Sequence, residues 1–551
     1  MVVELGQTID PLVNARVHQL DRAVTDAAIT GVRENVPAYA SLLVHYDPLV
    51  TDHEELSARL ASLVAATARR SAPPAREPGD PPVEIPVAYG GEAGPDLSEL
   101  AQRAGVAEAE VVRRHASGDY RVAMIGFAPG FPYLMGMDPS IACPRLDTPR
   151  VRVPAGSVGI ADTQTGIYPF AMPGGWRLIG RTDVPLFDPS ADPPARLRAG
   201  MRVRFVPIER DGPSPAGSRD DGTLPGPRSE RRSIRVLEPG FLATVQDAGR
   251  SGYERFGVPP SGAADHVALD IGNRVLGNPP DAAAIEITAG GAELEFLAPC
   301  AFALSGAIVE ATLDGRPVAF WAALSAPAGA ILRLGWPSVG LRAYLSVAGG
   351  LDVPVVLGAR ATYVPGGFGG LEGRPLRAGD VLGVGVPDRG AGGRPAHEDT
   401  PLSADGPRDV RVVGRGTIDL PFVPGGQWDD FAAEDQQAFA AHPWRVSHQG
   451  DRVGLRLEGD PLPGGHSASF VSDGTVTGAI QVAGDGRPIV LLVDRQTTGG
   501  YPKVGAVASA ALHLLGQLAP GDEVRFVPLS VSEAQALLRS SPSALPATEE
   551  A

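Results

Sequence analysis

The sequence predicts a mainly β protein in which several barrel-like modules follow a small α/β unit. Three observations point there. Glycine and proline, 69 and 54 of the 551 residues, are spread without a period while the apolar content is an ordinary 43%, the composition of many short strands joined by turns. After Arg121 helical spacing is lost and short apolar runs alternate with Gly/Pro turns. A glycine turn entering a strand recurs at Leu197-Arg-Ala-Gly-Met-Arg-Val203, Leu376-Arg-Ala-Gly-Asp-Val-Leu382 and Leu518-Ala-Pro-Gly-Asp-Glu-Val524, with Arg-Phe-Val-Pro following the first and third. Each copy reads as the closing strand of a module. The length exceeds what one core can use and points to three or four domains.

In chain order, residues 1–82 read as the α/β unit. Val13, Val17, Leu20 and Val24 place a helix over 13–28, and Leu56, Leu60, Leu63 and Val64 place another over 54–68. Between them Ala40–Tyr46 is a short apolar strand ended by Asp47-Pro48. A proline-rich linker over 72–82 leads into a β domain, 83–209, that opens with a strand from Val83. Its two short helices start near Asp96, with Gly105 as the stop, and run through Val111 and Val112 to His115. Residues 210–232, rich in glycine, proline and mixed charge, are the clearest linker. A second β domain, 233–390, begins with Ile234-Arg-Val and contains one helix over 261–276, marked by Val267, Ile271 and Val275. A break over 387–408 precedes the last β domain, 405–530, which carries a helix over 429–441, and residues 531–551 form a tail.

The charge balance excludes some partners. Against 48 basic residues stand 64 acidic ones, a net charge of −16, so neither a nucleic-acid backbone nor an anionic membrane is expected. Two cysteines, Cys143 and Cys300, make neither a disulfide framework nor a zinc site, and fit a reducing cytoplasm. The amino terminus lacks a basic start and apolar run, and no stretch has the apolar length of a membrane span. Ten histidines without paired spacing give no metal.

Lys503 is the only lysine; every other basic side chain is arginine. Arginine stays charged, whereas lysine is a compact ammonium that can release its proton when desolvated. It ends the polar, turn-rich stretch Asp494-Arg-Gln-Thr-Thr-Gly-Gly-Tyr-Pro-Lys503. Lys503, Asp494, Gln496 and Thr497 are therefore candidate catalytic groups, with Arg495, Thr498, Gly499, Gly500 and Tyr501 as substrate-binding neighbours. An equally simple reading is a structural turn in which Asp494 and Arg495 pair with each other. Gln164-Thr-Gly-Ile-Tyr-Pro169 echoes this stretch, as Gly156-Ser-Val-Gly echoes Gly474-Thr-Val-Thr. The echoes suggest related barrels that each present a polar loop, adding Gln164, Thr165, Tyr168 and Arg181 to the binding candidates. Val245-Gln-Asp-Ala-Gly-Arg250 adds Gln246, Asp247 and Arg250. Pro502-Lys503-Val504 is neither a P-loop nor a biotin-attachment loop, so any ATP or biotin must be handled largely by another protein.

Longer motifs carry a family resemblance. Gly126-Phe-Ala-Pro-Gly-Phe-Pro-Tyr-Leu, Pro149-Arg-Val-Arg-Val-Pro-Ala-Gly-Ser-Val-Gly-Ile-Ala161, Gln164-Thr-Gly-Ile-Tyr-Pro and Pro173-Gly-Gly-Trp resemble allophanate hydrolase subunit 1, also known as the B component of 5-oxoprolinase. Val245–Arg250, Ser261-Gly-Ala-Ala-Asp, Asp451-Arg-Val-Gly-Leu-Arg-Leu, Gly478-Ala-Ile-Gln-Val and Asp494–Lys503 resemble allophanate hydrolase subunit 2, also known as the C component of 5-oxoprolinase. The resemblance implies cyclophilin-like β-barrels and three functions. The leading one is ATP-dependent hydrolysis of the 5-oxoproline lactam to glutamate together with a LamB/YcsF-type subunit. The alternative is biotin-dependent carboxyl transfer to urea or a similar amide, and the third is regulation of a histidine kinase. A homo-oligomer is compatible with each. Asp162-Thr163 before Gln164 and Ala483 after Gly-Ala-Ile-Gln-Val depart from the family pattern.

Overall fold

The computed structural model describes residues 1–69, 81–209, 232–387, 416–462 and 471–540. Residues 72–80 of the first expected linker, 210–231 of the second, 388–408 of the third break and 541–551 of the tail lie outside them.

The amino-terminal unit has helices at Pro11–Asp26 and His53–Arg69, where the apolar spacing predicts them. Asp10 caps the first, its carboxylate accepting from the Leu12 and Val13 N–H groups. Val17, Leu20 and Val24 meet Leu56 and Leu60 over Leu42 and Val44 of the Ser41–Tyr46 strand. That strand is the centre of an antiparallel sheet whose edges are Val2–Glu4 and Val32–Pro37. Neither edge was legible in the sequence: the first has three residues, and the second carries Arg33, Glu34 and Asn35 across its middle.

The other face of the first helix docks onto the following barrel. Asn14 Nδ2 donates to the Ala38 and Ala123 carbonyls, and His18 Nε2 lies 2.9 Å from Ala123 O. Burial pushes the His18 imidazole down to about 4, and His115, enclosed in the barrel, down to about 3. Both must be neutral in the folded state, while the unfolded chain protonates near pH 6.5. The stability they contribute is complete above pH 6.5 and is lost as pH falls toward their folded values. Between pH 6.5 and 4.5 the denaturation midpoint should therefore fall by an amount worth a few kcal/mol, and His18→Gln should flatten much of that slope. Glu254, held near 2 because Arg495 and His45 outweigh its burial, takes up its proton below this window.

Two closed barrels of seven strands share one winding order. In the first, Val83–Tyr89 lies parallel to the closing strand Arg202–Pro207, followed round the barrel by Tyr120–Ile125, Pro132–Met135, Gln164–Ile167, Ser157–Ala161 and Arg177–Arg181. In the second, Thr417–Pro424 lies parallel to Glu523–Pro528, followed by Trp444–Val446, Gly454–Glu458, Pro488–Leu491, Ala479–Val482 and Lys503–Val507. The first and third copies of the glycine-turn echo thus close the barrels. Asp96 starts the Leu97–Ala104 helix without capping it; its carboxylate instead accepts from the Leu178 N–H and from Arg150. Gly105, at φ 67°, ends that helix.

Between the barrels lies a ten-stranded sheet, not a barrel, whose long strands Cys300–Leu313 and Ile331–Val347 pair along their length through three irregularities. Its helix spans His266–Val275, five residues later than the apolar spacing suggests. Ser261 and Gly262 are left-handed (φ 53° and 80°), and Asp265 takes the N-cap, accepting from the Ala268 N–H. Similarly, the expected helix over 429–441 is a 3-10 turn, Trp428–Asp430, followed by a helix at Ala433–Ala441.

The loop between Gln246 and His266 is where the modules meet. Glu34 of the amino-terminal unit accepts from the Gly252 and Arg255 N–H groups, and Asp21 pairs with Arg255 at 2.8 Å. The Gly130 N–H donates to Phe256 O, and the Ser261 N–H to Val493 O. Arg452 pairs with Glu286 at 2.5 Å and with Asp494 at 2.8 Å, all three nearly inaccessible to solvent.

Candidate functional site

Lys503 opens a strand of the second barrel opposite Gln481, and the next two pairs along that ladder are Gly505 with Ile480 and Ala506 with Ala479. In the first barrel the matching ladder pairs Leu178 with Gly159, Gly180 with Val158 and Arg181 with Ser157, with an irregularity at the same step. Both ladders start from a left-handed glycine, Gly156 or Gly478, and both need glycine at the next register point, where a Cβ on Gly180 or Gly505 would strike the neighbouring strand. Lys503 therefore occupies the position that the first barrel fills with buried Leu178. The barrel architecture accepts an apolar residue there, so the ammonium is an addition to the fold.

The Lys503 ammonium pairs with Asp473, and its backbone N–H donates to Gln427 Oε1 at 2.8 Å. Asp473 is 6% exposed; burial pushes its carboxyl up, and Lys503 offsets part of that shift. Asp473 and Gly474 form a two-stranded ribbon with Thr498 and Gly499. The ribbon is pressed against the amino-terminal unit so closely that a Cβ on Gly474 would overlap Leu43. Beside the ion pair lies a largely apolar cavity of about 370 Å³ between the amino-terminal unit, the second barrel and the Val531–Arg539 helix; Tyr46, His53, Gln427, Asp473 and Lys503 contribute to its wall. A compact charge held by a buried carboxylate at the rim of an apolar cleft is equipped to stabilise charge on an amide or carboxylate ligand.

The ribbon's other side faces the first barrel. Thr498 packs on Gly126, where a Cβ would overlap it, and on the phenol of Tyr133. Tyr133 stands edge-on to Tyr39 at 6.0 Å, and the Tyr39 hydroxyl donates to Gln164 Oε1 at 2.6 Å. Gln164 and Thr498 thus converge on one aromatic junction, with Tyr168 and Trp176 both edge-on to Phe131 within it.

Gln164, Thr165 and Gly166 do not form a loop, as the echo suggested, but the buried strand Gln164–Ile167. Asp162, at φ 52°, makes the tight turn between the two hairpin strands, and Asp162 and Cys143 exchange backbone hydrogen bonds. The structural counterpart of that strand is Pro488–Leu491, so Gln496 occupies a different place in its barrel: it follows the strand, and its carbonyl accepts from Thr475 Oγ1. The alignment fails because short Gly/Thr turns repeat by chemistry, whereas register is set by the left-handed glycines, 156 and 478.

Other candidates are engaged elsewhere. Asp494 and Arg495 do not pair with each other: Asp494 meets Arg452, and Arg495 meets Glu254 at 2.7 Å. Their side chains leave adjacent positions toward different partners, which the sequence cannot show. Thr497 is fully buried, Gly499 abuts Gln481, Gly500 is half-buried and Tyr501 is exposed. Thr165 donates to Gly159 O inside the first barrel, and Arg181 donates to Ala155 O. Gln246, Asp247 and Arg250 clasp the 360–362 backbone: Gln246 donates to Thr362 O, Asp247 accepts from the Arg360 N–H, and Arg250 donates to Ala361 O. None of these lines the cavity beside Lys503. Asp473, Gln427 and Gln481 were missed. Asp473 directly precedes the Gly474 turn, and Gln481 lies inside the Gly478-Ala-Ile-Gln-Val motif, so both stood beside features already visible; Gln427 left no sequence signal.

Among the described residues no cluster of His, Cys, Asp or Glu is arranged to hold a metal ion, and no helix is long and apolar enough to cross a membrane. Residues 1–197 match the family model of the carboxyltransferase domain, subdomain C and D, and residues 256–528 that of subdomain A and B. The chain is 38% identical over 301 residues to the C component of 5-oxoprolinase from Escherichia coli (strain K12), covering 55% of this chain and 93% of that one. It is 45% identical over 217 residues to the B component of 5-oxoprolinase from Bacillus subtilis (strain 168), covering 38% and 90%. Urea amidolyase of Lachancea kluyveri is 35% identical over 331 residues, 58% of this chain but 18% of that larger protein. The crystal structure of TTHA0988 superposes with a TM-score of 0.80 at 36% identity, covering 96% and 99%. With both family models matched in one polypeptide, the chain belongs to the carboxyltransferase-domain family that includes the B and C components of 5-oxoprolinase.

Proposed function

We propose that this chain is the fused B and C component of an ATP-dependent 5-oxoprolinase that opens the lactam of 5-oxoproline to L-glutamate together with a LamB/YcsF-type subunit. The observation that carries the reading is the Lys503–Asp473 pair at the rim of the apolar cleft, in a chain similar to both components. Asp473 orients the ammonium toward the cleft, where it stabilises the charge that gathers on the lactam oxygen as its carbonyl carbon is attacked. Gln427 fixes the start of the lysine's strand.

The one lysine is engaged by Asp473, and the sequence holds no Gly-Lys-Ser/Thr loop to cradle a nucleotide's phosphates. ATP binding is therefore assigned to the complex. The purified chain mixed with a LamB/YcsF-type subunit, ATP and 5-oxoproline should release glutamate, with little release by either protein alone. Absence of glutamate from the complete mixture would sink the reading.

The second reading, carboxyl transfer to urea or a related amide, draws on the family models and the urea amidolyase similarity. It requires a biotin carrier from another protein, since this chain has no attachment lysine, and it predicts carboxybiotin-dependent consumption of the amide in place of ATP-dependent glutamate release.

A further inference from the structure

Adjoining the first cavity, and sharing Glu4, Gln427 and Asp473 with it, lies a second of about 380 Å³, which Ser41 and Asp430 also line. It differs from the first in charge. Three carboxylates face it, and among the described residues its lining contains no arginine, lysine or histidine. Lys503, which lines the first cavity and not the second, pairs with only one of them, Asp473. Glu4 adds to the upward shift of the Asp473 carboxyl, which places the two acids within electrostatic reach of each other. Ser41, 3% exposed and part of the lining, has a hydroxyl with no hydrogen-bond partner among the described residues. A buried polar atom left unpaired beside surplus negative charge is the mark of a site completed by a donor from outside the chain.

We propose that this cavity is a subsite for a primary ammonium group, with Glu4 and Asp473 supplying charge and Ser41 Oγ and Gln427 Oε1 accepting hydrogen bonds. A metal ion is disfavoured because these acids are not arranged as a metal cage. The subsite deepens the proposed lactam hydrolysis and rests on it for the ligand's identity. In that reaction water adds to the carbonyl carbon, the C–N bond breaks, and the nitrogen takes up protons from water. A neutral lactam N–H thereby becomes an ammonium. The lactam nitrogen has no charge for the acidic cavity to hold, but that of the ring-opened amino acid does, so the ammonium is drawn past Asp473 away from the apolar cleft and the ring does not reclose.

Calorimetric titration of the full chain tests this with L-glutamate, N-acetyl-L-glutamate and 5-oxoproline, and with propylammonium against propanol as probes that do not depend on the reaction. L-Glutamate should bind at least about tenfold more tightly than N-acetyl-L-glutamate, and propylammonium should bind where propanol does not. Ser41→Ala should reduce both preferences while leaving 5-oxoproline binding unchanged, and Glu4→Gln, at a position shared by both cavities, should reduce both preferences. Asp430→Asn, at an exposed position, serves as a third variant if either of these fails to fold. Equal binding of the charged and uncharged members of each pair overturns the subsite, as does displacement of propylammonium by Mg²⁺ in a Glu4-dependent manner. If propylammonium binds as expected but 5-oxoproline is neither bound nor turned over with the partner, the subsite stands and the lactam reading fails.

Discussion

Lys503→Met should lower kcat/KM of the reconstituted complex by about 10²–10³-fold, the usual effect of removing one preorganised charge from a developing oxyanion, while leaving the fold intact. The sister barrel explains why folding survives: Leu178 fills the equivalent position, so an apolar side chain of similar length is compatible with the strand and its bulge. The carboxyl of Asp473, already pushed up by burial, can take a proton and remain enclosed as a neutral acid once its partner is gone. The loss should fall mainly on kcat, because the ammonium acts on charge that develops during attack. Lys503→Arg should recover little, since a planar fork cannot replace a compact ammonium on one carboxylate oxygen. Near-normal turnover by the methionine variant, at unchanged thermal stability, would remove Lys503 from the mechanism. A kinase-regulating module would show the opposite of the expected result, with partner binding and function untouched.

Arg452→Met should cost about 3–5 kcal/mol of stability, the range for breaking a buried ion pair from one side. Arg452 joins Glu286 of the central sheet to Asp494 of the second barrel and also donates to Gly262 O. Burial pushes the Glu286 carboxyl up, but Arg452 and Arg342 outweigh it and hold it below its usual value. Without Arg452, Glu286 remains enclosed with less positive charge, so its folded pKa rises and the variant gains relative stability as it is protonated. The difference between wild type and Arg452→Met should therefore shrink as pH falls from 7 to 5, which a series of urea midpoints would reveal. Cleavage by a protease near residues 416–462 should accelerate in parallel as the barrel undocks. A pH-independent difference below about 1 kcal/mol would mean that packing, not this charge cluster, holds the two modules together.

Much of the architecture was legible because it is local. Apolar spacing placed helices over 13–28 and 54–68, within two residues of the observed Pro11–Asp26 and His53–Arg69, glycine turns marked the closing strands of both barrels, and long motifs carried the family. The failures have a common cause. Val32–Pro37 is a strand by virtue of its neighbour in the sheet and carries no period of its own. The 261–265 segment continues a helical apolar pattern, yet its left-handed residues make it a turn. The Gln164 echo matched residue types but missed the register that two glycines impose.

The oddity of a single lysine could be read from the sequence alone, and so could the exclusion of a P-loop or biotin-carrier loop. The sequence also identified the polar stretch from Asp494 to Lys503 but could not divide it. Asp494 and Arg495 lie in a turn, the Arg495 N–H donating to Leu492 O, and where a turn aims adjacent side chains depends on partners as distant in the chain as Glu254. Tertiary structure gave Asp494 to Arg452, Arg495 to Glu254 and Thr498 to the aromatic junction of the first barrel. It gave Lys503 to Asp473, 30 residues earlier in the chain, because the ribbon between Asp473 and Gly499 folds the two onto one rim.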